Sequence, residues 1–301
     1  MSDNPRVSVI VLSHDRPVYM KSVLDSVMAQ TYDNLEIIVV DNKSRSSDQI
    51  EAIVRNYPRI RLIKNRANLG FTGGMNKGIE AASGRYGYFT LDDIILEKDC
   101  IFQLTSFMES NPQSGLISGI LYQEDGETIV CAGGEFDLST VYKRVFLGTG
   151  EKEAGQFSEP FNVTWIPGGT IFARLDLMKR LNGFRQEFFM YSEDVELCAR
   201  VLKLGYDLTV VPQAKVFVIN APHAFTSEEM AFHKFKNFFS VYLLHARLSV
   251  LPEFYLRYGV INLLRALFSN RRIVWPMVRA WGWFLLKSPS LVRDRYRSAS
   301  L

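Results

Sequence analysis

The sequence predicts an α/β fold: a mostly parallel sheet with helices on both faces, followed by a basic helical extension. Three observations predict it. Short β-branched runs alternate with stretches of helical spacing. Several of these runs end at a hydroxyl or carboxylate residue, and in open α/β sheets the ligand crevice lies beyond the carboxyl ends of the strands. The charge is also divided. From Lys234 onward twelve basic residues face two acidic ones, a net +10, which leaves −7 on the first 233 residues of a chain whose total is +3.

Residues 7–12 (VSVIVL) form the first expected strand, short, β-branched and ended by polar residues. Pro17 can open a helix, and Met20, Val23, Leu24, Val27 and Met28 recur at helical spacing over residues 19–30. Residues 35–40 (LEIIVV) are a second strand running into Asp41, and residues 61–63 a short third. A helix is expected over 76–82 and a fourth strand over 86–91, running into Asp92 and Asp93. Residues 115–161 are less regular, and their glycines suggest hairpins or an insertion. Residues 164–173 read as a strand holding Gly168 and Gly169, a pair that often marks close ligand or backbone approach. A helix follows over 194–204, with Val195, Cys198, Val201 and Leu202 on one face and Gly205 just past its end. Residues 208–211 read as a strand stopped by Pro212, and from Phe232 the pattern is helical, aromatic and basic.

Composition excludes several classes. With 47% apolar and 22% charged residues, the chain is neither disordered nor low in complexity, and 301 residues suffice for a substantial core. Cys100, Cys131 and Cys198 are too scattered for a disulfide framework or a zinc site, so a reducing cytoplasm is expected. The first apolar run is too short for a secretory signal, and no stretch of 18 residues is both apolar and uncharged. The first strand-to-helix turn (SHDRP, 13–17) has no glycine, which argues against a dinucleotide fold, and no P-loop occurs. What remains is a nucleotide-type sheet with carboxylates at its strand ends, suited to a base, a ribose or a metal-bound diphosphate.

Five blocks stand in order: VSVIVLSHDRP (7–17) with LDSVMAQTY (24–32), LEIIVVDN (35–42), NLGFTGGMN (68–76), GRYGYFTLDD (84–93) and FFMYSEDVELC (188–198). Together they resemble the family 2 glycosyltransferases, inverting enzymes of GT-A fold that use nucleotide-sugar donors. The third and last blocks look most like bacterial rhamnosyltransferases of polysaccharide synthesis. The resemblance implies that Asp41 contacts the base, that Ser13 and Asp15 lie near base and ribose, and that Asn68 and Gly70 lie close to the nucleotide. The same residues also suit a turn at Asp41 and a helix cap at Asp15. Asp93 falls on the last acid of the family's DxD-type motif and would bind Mg²⁺ or Mn²⁺. Asp92 fills the middle place, beside the sugar nucleotide, and Leu91 replaces the first acid. Asp194 would be the general base, with Glu193, Trp165, Gly168 and Gly169 on the acceptor side. Ser192 also suits a helix N-cap, and Glu193 the first turn of that helix. Many relatives carry Asp-Glu where this chain has Arg185 and Gln186, and a His near Val218. Here the nearest candidate metal ligand is His223.

The tail interleaves Arg247, Arg257, Arg265, Arg271, Arg272 and Arg279 with Phe254, Leu264, Phe268, Trp275, Trp281 and Phe284. That mixture suits an anionic membrane surface, or alternatively a helical cap with its arginines in water. A catalytic region over 1–230 and a basic amphipathic region over 231–301 are therefore expected, at the inner face of the cytoplasmic membrane. The implied partners are a nucleotide-sugar donor (dTDP-rhamnose or a UDP-sugar) and a glycan or lipid-linked acceptor, with no nucleic acid. A nucleotidyltransferase would need a Gly-rich basic first loop that is absent. A nucleotide-sugar-binding or scaffold protein of the same fold stays open because of Leu91, Arg185 and Val218.

Overall fold

The computed structural model describes residues 4–141, 143–219 and 227–297. The amino-terminal half alternates as the sequence predicts: β1 (Val7–Ser13), α1 (Pro17–Met28), β2 (Leu35–Asp41), α2 (Ser47–Val54), β3 (Ile60–Lys64), α3 (Gly70–Ala81) and β4 (Tyr86–Leu91). Then come β5 (Ile94–Leu96), α4 (Cys100–Ser110), β6 (Ser114–Tyr122), β7 (Ile129–Cys131), β8 (Gly134–Asp137), β9 (Lys143–Phe146), β10 (Phe161–Val163) and β11 (Thr170–Arg174). They are followed by α5 (Leu175–Arg180), α6 (Glu193–Lys203), β12 (Asp207–Val218), α7 (Glu228–His245), α8 (Leu251–Phe254), α9 (Asn262–Ser269) and α10 (Val274–Arg297).

The main sheet runs β10-β12-β6-β11-β4-β1-β2-β3. β3, β2, β1 and β4 are mutually parallel, as are β6 and β12, while β11 enters antiparallel between the two groups. One face buries Ile10, Ile38, Met75 and Phe89, and the other Val9, Val39, Val23 and Leu104. Strands covered on both faces explain the unbroken apolar runs. The chain thus has a mostly parallel α/β sheet flanked by helices and a helical carboxyl-terminal region, as expected.

Several sequence expectations need correction. The helix expected from residue 76 begins at Gly70, so the glycine-rich stretch is its first turn. The irregular region contains β6, a nine-residue central strand. Its small residues permit close packing: a Cβ on Gly119 would stand 1.8 Å from the Ala214 carbonyl oxygen. Of the strand expected over 164–173 only the part from Thr170 is strand (β11); Trp165 makes an isolated bridge to Gly134, and Gly168 and Gly169 form the turn before β11. Pro212 does not stop β12, because the register shift between Val210 and Lys215 absorbs it as a bulge. Residue 230, the expected boundary between the two regions, lies in the first turn of α7.

The helical region divides its aromatics. Phe254, Phe239, Tyr242 and Phe284 are buried together with Phe188 and Val195 next to α6, whereas Phe268, Trp275 and Leu286 face out. No helix among the described residues is long and apolar enough to cross a membrane. Among the described residues the cysteines are all free and buried.

Candidate active site

β1, β2 and β4 end side by side, with Ser13 opposite Asp41 and Leu12 opposite Leu91. Because the three strands are parallel, the loops that follow them share one edge of the sheet. Asn42 organises that edge. Its amide nitrogen donates to Asn68 Oδ1 at 3.0 Å and to the Gly70 carbonyl at 2.9 Å. Its oxygen accepts from Asn65 and from the Leu69 amide. The His14 ring bridges the Asn42 carbonyl and the Asn68 side chain, each at 3.1 Å.

The strand-end carboxylates differ in environment. Asp41 is buried and accepts the Ser44 amide at 2.9 Å, so it shapes the turn after β2. Asp15 has a left-handed backbone (φ 58°), and its carboxylate accepts the Arg45 amide. It does not cap α1, whose N-terminus has no side-chain cap. Asp92 is buried and accepts the Ser13 hydroxyl at 2.6 Å and the His14 amide at 3.3 Å. Burial, reinforced by the charge of Asp93, pushes its carboxyl up to about 7 despite the Ser13 hydrogen bond. Asp93 meets Arg16 Nη1 at 2.5 Å through Oδ2, while its Oδ1 is buried without a hydrogen-bond partner. An orphaned carboxylate oxygen fits a divalent cation, since Mg²⁺ is usually held by one or two carboxylates plus substrate phosphates. No trio of His, Cys, Asp or Glu among the described residues forms a metal cluster by itself. His223 lies outside the described residues.

The segment before α6 is strained. Phe189, Tyr191 and Ser192 have φ of 65°, 69° and 61°, a region that costs roughly 1–3 kcal/mol per non-glycine residue. Ser192 occupies the N-cap position but makes no side-chain cap, contrary to expectation, because its left-handed backbone departs from the extended capping geometry. The strain is held from α7. Asn237, fully buried, donates its amide to the carbonyls of Phe188 (2.9 Å), Met190 (2.7 Å) and Tyr191 (2.6 Å). Lys236 adds an ammonium contact to the Glu187 carbonyl. Gly70 closes the other side: with φ +69°, a Cβ there would meet the Phe189 carbonyl oxygen at 2.3 Å. Gly70→Ala is therefore expected to destabilise the protein by about 3 kcal/mol, from left-handed strain plus overpacking, and to weaken nucleotide binding. Thermal melts with and without nucleotide check this.

Glu193 and Asp194 begin α6 and diverge. Asp194 lines a cavity of about 450 Å³ with Trp165, Tyr191 and side chains of α7. Glu193 lines a second cavity of about 330 Å³ with His14, Arg16, Asn68, Gly70, Leu91 and Asp92. Tyr191 borders both. Gly168, Gly169 and Glu193, expected on the acceptor side, line the cavity of the strand-end residues, where the turn before β11 packs on Leu91 and Phe71. Burial raises both carboxyls, Glu193 to about 8 with help from the Asp194 charge. For Asp194 the Val195 amide, the Trp165 indole and the Gly168 amide oppose the shift and favour the anion. Glu193 has Oε2 buried and unpartnered, an environment that favours its neutral acid.

Sequence reasoning passed over Arg16, Asn237 and the buried Glu196. Glu196 binds Arg200 at 2.8 Å and His245 at 3.1 Å, tying α6 to α7. Arg185, one of the departures noted above, pairs with Glu187 and with Asp294 of α10.

Comparison with known proteins agrees with this geometry. The "Glycosyl transferase family 2" model matches residues 8–177. An uncharacterized glycosyltransferase of Haemophilus influenzae is 28% identical over 218 residues, 72% of this chain and 66% of that protein. The N-acetylglucosaminyl-diphospho-decaprenol L-rhamnosyltransferase of Mycobacterium tuberculosis is 25% identical, over 69% of this chain and 74% of its own length. Rhamnosyltransferase WbbL of Escherichia coli is 27% identical, over 78% and 87% respectively. The chain spans just under two thirds of the Haemophilus protein, and only 25% and 50% of two further relatives, from Sinorhizobium fredii and Bacillus subtilis. Among solved structures, GalNAc-T7 with UDP, GalNAc and Mn²⁺ superposes with a TM-score of 0.68 at 17% identity, over 88% of this chain and 52% of that one. The mannosyltransferase PcManGT of Pyrobaculum calidifontis with GDP-Man and Mn²⁺ gives 0.57 at 14% identity, over 99% and 87%. The parallel edge, the acid pair and the family match lead to one conclusion: this chain belongs to glycosyl transferase family 2 and has the GT-A fold.

Proposed function

We propose that the protein is an inverting glycosyltransferase that moves a sugar from a nucleotide-sugar donor to a glycan or lipid-linked acceptor in cell-surface polysaccharide synthesis. One observation carries the reading: adjacent acids open into two cavities that meet at Tyr191. The donor lies in the smaller cavity, against Asn68, Gly70 and Asp92, with Ser13, Asp15 and Asp41 shaping the rim. The acceptor hydroxyl approaches from the larger cavity, beside Trp165. Asp194 takes its proton as that oxygen attacks the anomeric carbon, and the bond to the nucleotide diphosphate breaks on the opposite face. A single displacement inverts the configuration and leaves no covalent intermediate. Glu193, protonated, can donate a hydrogen bond into the donor cavity. Asp93, with Asp92 beside it, would hold Mg²⁺ or Mn²⁺, whose charge offsets that of the leaving diphosphate. The names of two relatives support rhamnose as the transferred sugar; dTDP-rhamnose or a UDP-sugar is the donor proposed.

Residues 1–230 would act as the catalytic region and 231–301 as a surface for the anionic inner face of the cytoplasmic membrane, with nucleic acid playing no part. Support comes from Phe268 at 91% and Leu286 at 83% exposure among arginines. A second reading, a protein that binds nucleotide sugars without transferring them, is favoured by two features. Leu91 offers no hydrogen bond, and Arg16 already sits on Asp93.

Thermal melts with UDP, dTDP, GDP and CMP, each with and without Mn²⁺, test the donor site. Nucleotide at 100 times its Kd should add about 2.7 kcal/mol, and more with Mn²⁺. Absence of stabilisation by every nucleotide would remove the donor-site assignment.

A further inference from the structure

Among the described residues, Arg16 is the only lysine or arginine that lines the smaller cavity, the one assigned to the donor. Its guanidinium pairs with Asp93, Nη1 standing 2.5 Å from Oδ2. The two members of the pair differ in exposure: the Asp93 side chain is 8% exposed and the Arg16 side chain 36%. An ion pair with one member this open to water holds weakly, so a better anion can take the guanidinium away. The backbone under Arg16 is anchored by other contacts. The His14 ring bridges Asn42 and Asn68, the Asp15 amide donates to Ser44 Oγ at 3.0 Å, and Pro17 opens α1. Arg16 holds the N-cap position of that helix but makes no side-chain cap. Its side chain can therefore change partner without moving the turn. Asp93 is divided in turn: Oδ2 serves Arg16, while Oδ1 is buried without a hydrogen-bond partner. A divalent cation drawn to Oδ1 would share one carboxylate with a guanidinium, and like charges on one small anion repel. A nucleoside diphosphate removes that conflict, because its oxygens suit the planar guanidinium fork.

We propose that Arg16 holds Asp93 against metal in the resting protein and passes to the diphosphate when the donor binds, so that divalent cation and nucleotide enter as a linked pair. Linkage is reciprocal: each ligand tightens the other by the same factor. A bare divalent cation is then a poor ligand, and Arg16 lowers metal affinity while it raises nucleotide affinity. This inference rests on the transferase reading and deepens it, since it gives Arg16 two opposed effects at the donor site.

The test is binding to the full chain, with no acceptor and no turnover. The probes are Mn²⁺ alone, followed by the paramagnetic resonance of the free ion, and dTDP and UDP, followed by calorimetry in EDTA. Arg16→Gln is expected to bind Mn²⁺ alone at least about threefold more tightly than wild type. Without metal it is expected to bind dTDP or UDP, whichever the wild type binds, at least about tenfold more weakly. General loss of structure would weaken both, so opposite shifts in one variant are the signature. Asp93→Asn added to Arg16→Gln should abolish the gain for Mn²⁺, which locates that gain at this carboxylate. Arg16→Lys keeps a charge without the fork and should lie between on both probes; it carries the test if Arg16→Gln melts early. Mn²⁺ affinity in Arg16→Gln no higher than in wild type, including no binding to either, overturns the inference. So does undiminished diphosphate affinity, or a Mn²⁺ gain that survives in the double variant. If the wild type binds a nucleoside diphosphate, only the role of Arg16 falls; if it binds none, with or without Mn²⁺, the transferase reading falls as well.

Discussion

Asp194→Asn should lower kcat by about 10²–10⁴-fold, the range general-base assistance typically contributes, with nucleotide affinity unchanged. The substitution keeps the side-chain shape, and an amide oxygen can still accept the Val195 amide that Asp194 Oδ1 now holds at 2.8 Å. What disappears is the anion. Burial holds the Asp194 carboxyl above its ordinary value. Protonated, it cannot take a proton, so the wild-type rate should rise with pH on a limb above the usual carboxylate range, and the variant should lose that limb. Stability provides an internal control. A carboxyl whose pKa is raised by folding stabilises the protein fully below its unfolded pKa, and that contribution is lost as pH rises through the folded value. The variant's melting temperature relative to wild type should therefore increase from pH 5 to pH 8. Activity within tenfold of wild type would remove Asp194 from its role.

Asn237→Ala should cost about 3 kcal/mol of stability and disable transfer more than its loss of folded protein explains. The amide that disappears serves the carbonyls of Phe188, Met190 and Tyr191. Buried carbonyls left without a donor cost about 1–3 kcal/mol each unless the chain relaxes. Relaxation is easy here, because Phe189, Tyr191 and Ser192 all hold left-handed backbones that they would leave. Asp194 follows immediately in the chain and would move with them. Melting curves and kcat at saturating donor, measured below the variant's transition, decide the matter. Wild-type stability in Asn237→Ala would show that the loop holds itself.

Much of this was legible in the sequence. β1 and β2 are short, rich in β-branched residues and mostly buried, so their composition alone marks them. The ends of β1, β2 and β4 then place Ser13, Asp41 and Asp92 on one rim, because parallel strands carry their loops to the same side. β6 was obscured because Gly115 and Gly119, needed for close packing, imitate turn residues. β12 was cut short at Pro212 because a bulge leaves no trace in periodicity. The division of labour within the acid pair was also hidden: consecutive residues at a helix start point about 100° apart, and only the fold shows which cavity each one enters. Asn237 and Arg16 carried no signal, since a single polar residue acquires its partner only through contacts distant in the chain. Arg16 and Asp93 are 77 residues apart.

The Asn237 clamp has a consequence for recombining such enzymes. The carbonyls it grips belong to the stretch that leads into Asp194, yet the gripping amide lies 46 to 49 residues downstream, on a helix that looks like an appendage. A chimera joined at residue 230 would keep every motif that identifies the family and still inherit a stranger's α7. Crossovers that preserve catalysis should fall outside the span from Phe188 to Asn237, so that the loop and the helix holding it travel as one inherited unit.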